Sequence, residues 1–471
     1  MSQRMLPWMP AVAALGLAAA LFAPAAQAAT TRSVTCSGDI TSAMNSAVSS
    51  SVDGDTITIS AGSCTMSRLN TITDKNITIQ GAGKASTLIT ANDGFGQIVT
   101  NGSKSPQWKL RGFQLSGNST SVQAIVVWAD QAASWRGPFL VDDIALYYPS
   151  NTGQGMAIFG PIYGVISNSV FTNGIESAIL TSLALTASME SGSSVGSMKG
   201  AYAASLPYQP GASNYLYIED NTFVGTSSGG IAAIDTGYTG GRVVFRHNTL
   251  KRATLYSHWT SNGNWNSLWW EIYDNTFTWD GDSGYQPMRM QGGGTGLIYN
   301  NTFTGFSDNN ITVGEQRLTG QTGAPVGTCG SSNAWDGSTD SSAPGWPCVT
   351  QTGRDAGKTM AQIQGGSKQA SFPLYVWNNG SQAKCSNASA SGSACDNSFG
   401  VEALNAAYFK STPHTTSGFG NGDVDWCKAG SQPGGCGTHT LNYTPYTYPH
   451  PLRSGGTTTT TLTAPSNLTV Q

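Results

Sequence analysis

Four six-residue segments in the middle of the 471-residue chain align without gaps: Ile218 to Phe223 (IEDNTF), Phe245 to Leu250 (FRHNTL), Ile272 to Phe277 (IYDNTF) and Ile298 to Phe303 (IYNNTF). Their asparagines, Asn221, Asn248, Asn275 and Asn301, stand 27, 27 and 26 residues apart. A unit this short cannot bury its own apolar face, so consecutive copies must stack and share one core. A weaker copy, ISNSVF at Ile166 to Phe171, puts Asn168 53 residues before Asn221, which reads as two periods. NITIQG from Asn76 and YVWNNG from Tyr375 are partial copies.

Alternation within each copy sets the expected directions. Ile218, Phe245, Ile272 and Ile298 point inward, and Glu219, Arg246, Tyr273 and Tyr299 face solvent. An asparagine recurs at one corner because its carboxamide can bond backbone groups of its own turn and of the neighbouring turns. The period fits three short strands per coil. It lacks the helical pattern of tetratricopeptides and the leucine lattice of leucine-rich repeats, and a propeller blade needs about 40 residues. The expected fold is all-β, a parallel β-helix of about ten coils from Cys36 to Trp377.

GDTITISAG (Gly54 to Gly62) followed by KNITIQGAG (Lys75 to Gly83) resembles the first coils of the pectate-lyase-like superfamily of secreted β-helix proteins. That resemblance concerns the scaffold. It implies a right-handed helix whose open N-terminal end is capped by a short amphipathic helix, here including Ala43 to Val48. Members are mostly polysaccharide lyases, hydrolases or epimerases, with some adhesins and structural proteins, so the resemblance points to carbohydrate without choosing the chemistry. Pectate lyases usually bind calcium. Calcium is therefore a possible cofactor, although Asp142 and Asp143 are adjacent on a strand and would face opposite sides. No organic cofactor is expected.

Residues 1–28 read as a secretory signal peptide. Between Arg4 and Arg32 there is no charge, the stretch from Ala11 to Phe22 is apolar, and Ala26, Gln27 and Ala28 form a small-residue cleavage site. That apolar core is too short to span a bilayer. The mature protein is expected to be secreted and monomeric, with no membrane insertion. Residues 29–454 would form the β-helix with packed C-terminal loops, Pro445 to Pro451 (PYTYPHP) lying along it as an extended segment, and 455–471 a flexible Gly/Thr tail.

Charged residues make up 10% of the chain against a usual ~25%, and Lys+Arg 23 nearly balances Asp+Glu 26. With no basic run, nucleic acid is excluded as a partner and an extracellular polysaccharide favoured. Export makes disulfides the natural reading of the eight cysteines. Sequential pairing (Cys36 with Cys64, Cys329 with Cys348, Cys385 with Cys395, Cys427 with Cys436) closes the shortest loops, though eight cysteines permit about 105 pairings.

Counting 14 residues past each column asparagine reaches Asp235, Asn262, Arg289 and Glu315. Arg289 and Glu315 would then be neighbours, with Asp235 two coils from Arg289, roughly 10 Å away. The coil between inserts TLYSHWTSNGNW, which supplies Tyr256, His258, Trp259 and Trp265. His258 can carry a proton near neutral pH, and the Trp rings can stack on sugars. A lyase would use His258 or Tyr256 as base and Arg289 as the clamp on a uronate carboxylate. A second set, Glu219, Arg246 and Glu271, is expected on an outward face, with Glu219 and Glu271 two coils apart as a possible hydrolase pair. A glycoside hydrolase and a non-enzymatic carbohydrate-binding surface protein remain the alternatives to the lyase.

Overall fold

The computed structural model describes residues 28–101, 104–119, 122–129, 135–149, 153–173, 177–182, 209–225, 230–236, 241–257, 269–280, 286–290, 295–306, 310–313, 372–379, 399–401, 426–429, 431–436 and 439–454. They form an all-β, right-handed parallel β-helix of roughly eight turns with one helical cap at its N-terminal end. Each coil contributes to three parallel ladders. The first contains Leu216–Glu219, Arg242–Arg246, Trp269–Tyr273 and Thr295–Tyr299; the second contains Thr222–Gly225, Thr249–Lys251, Thr276–Thr278 and Thr302–Thr304. The long strands Lys109–Ser116 and Arg136–Tyr148 join these two ladders into one 20-stranded sheet. The third ladder is a separate sheet of ten strands, including Ile231–Asp235, Ala253–Ser257 and Met288–Met290. Roughly eight turns are formed where about ten coils were expected from Cys36 to Trp377, and the last strand of this ladder, Phe399–Val401, lies beyond that range.

The repeat stacks as its alternation requires. Ile218, Phe245, Ile272 and Ile298 are register partners on successive coils, all buried, and continue through Val376. Phe171 stacks on Phe223 at 5.0 Å, and Phe277 on Phe303 at 5.1 Å, inside the neighbouring ladder. The asparagine corner is a buried hydrogen-bond ladder. Asn248 Oδ1 accepts from the backbone N of Asn221 at 2.9 Å, while its Nδ2 donates to the carbonyls of Ile218 and Arg246 at 2.8 and 2.9 Å. Asn275 and Asn301 repeat the arrangement, which ends on Asn379. The residue before each ladder asparagine has positive φ (Asp220 56°, His247 55°, Asp274 55°, Asn300 55°), a conformation Asp and Asn tolerate better than most residues.

Asn168 departs from its expected place. Ser167 pairs with Glu219, so Asn168 takes the positive-φ position and Ser169 occupies the ladder slot, its backbone N donating to Asn221 Oδ1 at 3.0 Å. The strands of Ile166 and Ile218 are adjacent rungs and not two periods apart. The extra residues of that coil, 183–208, lie outside the described residues.

The cap is the helix Thr41–Ser50, which buries Met44, Ala47 and Val48 against the open end of the core. Just before it, Asp39 accepts from the backbone N and hydroxyl of Thr41. Beside it, Cys36 and Cys64 form the first expected disulfide. Cys329, Cys348, Cys385 and Cys395 lie outside the described residues, and Cys427 and Cys436 are described only as backbone positions. Residues 1–27 and 455–471 lie outside as well. Among the described residues no helix is long and apolar enough to cross a membrane.

Candidate functional site

The two outward faces proposed from sequence have opposite fates. Glu219, Arg246 and Glu271 do leave the coil interior, but all three are completely buried, together with Tyr273 and Tyr299 at 2% and 5% exposure. Their expected exposure to solvent is thus corrected. Local alternation decides which side chains leave the core, whereas the cover comes from residues 441–454, some 200 positions later. The segment predicted to lie along the barrel does so as a strap. Leu441, Tyr443 and Leu452 pack with Tyr217, Val244, Trp269, Leu297 and Tyr375 in a second apolar cluster outside the first ladder.

Polar contacts pin the strap. Arg246 pairs with Glu219 at 2.6 Å and donates to the carbonyls of Tyr446 and Thr447 at 2.7 and 2.9 Å. Glu219 Oε1 also accepts from the backbone N of His450 and from Arg453 Nη1. Tyr448 stacks on His247 with centroids 3.7 Å apart. Glu271 belongs to another column, opposite Val244, and accepts from the backbone N of Gly211, from Trp269 Nε1 and from the Tyr443 hydroxyl. Burial raises its pKa, and burial lowers that of His450 to about 4. A hydrolase pair needs water and substrate beside both carboxylates; Glu219 and Glu271 have neither and serve the strap.

The third ladder carries the other face. One outward column runs Gln97, Val126, Ala157, Leu180, Asp235, Tyr256, Arg289 in direct register, and the backbone register continues to Thr312. Its inward neighbours Ile234, Leu255 and Met288 fill the core. Asp235, Tyr256 and Arg289 therefore stand on three consecutive coils. Asp235 is buried, Tyr256 half-buried and Arg289 exposed, with the Arg289 Cζ 5.7 Å from the centroid of the Tyr256 ring. Two slots differ from the fixed count of 14 residues. Tyr256 takes the place assigned to Asn262, and Thr312 that assigned to Glu315, because the second turn of each coil varies in length. Glu315 itself, His258, Trp259 and Trp265 lie outside the described residues.

The sequence reading missed one feature of this face. Trp128 and Phe159 are register partners, both half-buried, two residues further along their strands than Val126 and Ala157. Phe159 and Asp235 belong to coils two steps apart, roughly 10 Å. The alternation in AIVVWAD, with Trp128 two after Val126, was the available signal.

The acidic pair weighed for calcium does not fit the ion. Asp142 is bonded by Arg111 at 2.9 Å and by Ser167 and Asn168, and Asp143 pairs with Lys84 at 2.8 Å. Each carboxylate already has a cation, and among the described residues no group of three or more His, Cys, Asp or Glu side chains could hold a metal ion.

No family model and no curated protein matches this chain. Among solved structures it is similar to one described as a PL6 family alginate lyase, AlyGC, with 16% sequence identity and a TM-score of 0.34 over 61% of this chain. The chain spans 39% of that protein's chain.

Proposed function

We propose that this protein is a secreted polysaccharide lyase that cleaves an acidic polymer by β-elimination on the outer face of the third ladder. The observation that carries the reading is the run Asp235, Tyr256, Arg289 on consecutive coils of one outward column. A β-elimination needs a base for the C5 proton, a cation on the adjacent carboxylate, and a proton for the departing oxygen. Those groups must lie within one sugar of each other, and rungs about 4.8 Å apart provide that spacing.

In this account Arg289 binds the uronate carboxylate through its planar guanidinium. Tyr256 takes the C5 proton; the electron pair forms the C4–C5 double bond as the C4–O bond breaks. His258, two residues along the chain, delivers a proton to the departing oxygen. Charge builds beside the carboxylate as the C5–H bond breaks, so the Arg289 contact is stronger in the transition state than in the bound substrate. Asp235, buried on the neighbouring rung, is a positioning residue beside Tyr256 and does not itself touch the sugar. Trp128 and Phe159, with Trp259 and Trp265, supply ring faces for neighbouring sugars.

Steady-state kinetics on the cleaved polymer test these roles. Tyr256→Phe and His258→Ala are expected to lower kcat by about 100-fold or more with little change in KM. Arg289→Ala should lower kcat and raise KM together, and Trp259→Ala should mainly raise KM. Wild-type turnover by both Tyr256→Phe and His258→Ala would refute the assignment.

A further inference from the structure

Arg242 opens the first-ladder strand Arg242–Arg246 and is 2% exposed. Four residues later Arg246 is equally buried but carries a carboxylate and four oxygen partners in all, whereas Arg242 Nε and Nη1 have no hydrogen-bond partner. A guanidinium does not shed its proton in a protein, so burial cannot be relieved by neutralisation. Aromatic rings offset part of the cost: the Cζ atom lies 4.1 Å from the Tyr215 ring centroid and 5.4 Å from that of Trp135. They leave Nε and Nη1 unsatisfied.

Arg242 lines a small cavity where the third ladder passes into the first, together with Trp135, Gly160, Thr181 and Gly241. Two of these neighbours are in the same condition. Trp135 Nε1 and Thr181 Oγ1 are buried without a partner. A Cβ at Gly241 would stand 2.9 Å from the Thr181 oxygen, so glycine there keeps the hydroxyl uncovered. Four unpartnered atoms on three side chains thus border one space, and every one can donate a hydrogen bond. A water molecule could give one hydrogen to Thr181 Oγ1 but finds no acceptor among these groups for the other and supplies no charge, and a cation is repelled by the guanidinium. A small anion accepts from all four and supplies the missing charge.

We infer that this cavity is a binding site for a monovalent halide of chloride size, held by Arg242, Thr181 and Trp135. The space is of the size of a single small occupant. The inference does not depend on the lyase reading.

Anomalous diffraction from crystals of the wild-type protein soaked in bromide tests it directly. A bromide peak is expected within hydrogen-bond distance of the Arg242 guanidinium, Thr181 Oγ1 and Trp135 Nε1. In parallel, replacing gluconate by chloride at constant ionic strength should raise the Tm of the wild type to a plateau, as binding to the folded state alone requires. Arg242→Met should abolish that response, and Thr181→Val, which keeps the side-chain shape, should shift its midpoint to several-fold higher chloride. Density refining as water without anomalous signal, or a Tm that ignores chloride in the wild type, would overturn the site. An equal chloride response in Arg242→Met would do the same.

Discussion

Arg246→Met separates a strap anchor from a catalytic face. The side chain is fully buried and makes hydrogen bonds to Glu219 at 2.8 Å, to the Tyr273 hydroxyl at 2.9 Å, and to the Tyr446 and Thr447 carbonyls of the strap. Removing one partner of a buried pair costs about 3–5 kcal/mol, because the other charge stays behind. Glu219 keeps Arg453 Nη1 at 2.9 Å and the backbone N of His450 at 2.8 Å, which puts the loss near the lower end, about 3 kcal/mol. Adding Glu219→Gln removes the stranded charge, so the double variant should recover about 1–2 kcal/mol relative to the single one. Urea denaturation followed by tryptophan fluorescence measures both, and limited proteolysis should cut Arg246→Met faster within 441–454. A stability change below about 1 kcal/mol combined with loss of polymer turnover would refute the anchoring role. The buried face would then have to be opened and used.

Three further outcomes follow from the same packing. Asn248→Ala removes three donor contacts and strands the backbone N of Asn221, so it should destabilise by about 3–5 kcal/mol in urea denaturation, while an exposed substitution such as Lys251→Ala stays within about 0.5. Ile272→Asp, in the middle of the inward column, should cost several kcal/mol and lower soluble yield. Burial holds the folded pKa of His450 at about 4, below its ordinary value near 6.5. The unfolded chain therefore binds the proton first, and stability present above pH ~6.5 is lost as pH falls toward ~4, by up to roughly 3 kcal/mol. His450→Gln should flatten the denaturation midpoint over that window.

How far the sequence carried this account depended on whether the controlling contact was local. The asparagine ladder and the stacked Ile218, Phe245, Ile272 and Ile298 were legible because one coil dictates the next at a fixed offset. The same fixed offset failed where a coil changes length. From the ladder asparagine to the outward column the spacing is 14 residues for Asp235 and Arg289, but 8 from Asn248 to Tyr256 and 11 from Asn301 to Thr312. Asn168 was misplaced for a related reason, since the extra sequence between the paired strands of Ile166 and Ile218 mimics a second period. The fate of Glu219, Arg246 and Glu271 could not be read from the repeat at all. Alternation marked them as leaving the core, and only the return of residues 441–454 decided that they would meet protein instead of water.

The central claim is tested most directly by following the unsaturated product and new reducing ends in the same reaction, with the wild type acting on a panel of uronic-acid polymers. The account predicts that on one of them the two signals rise in equal amounts, because each β-elimination makes one double bond for each new reducing end. Reducing ends without the unsaturated chromophore would mean hydrolysis and would contradict it.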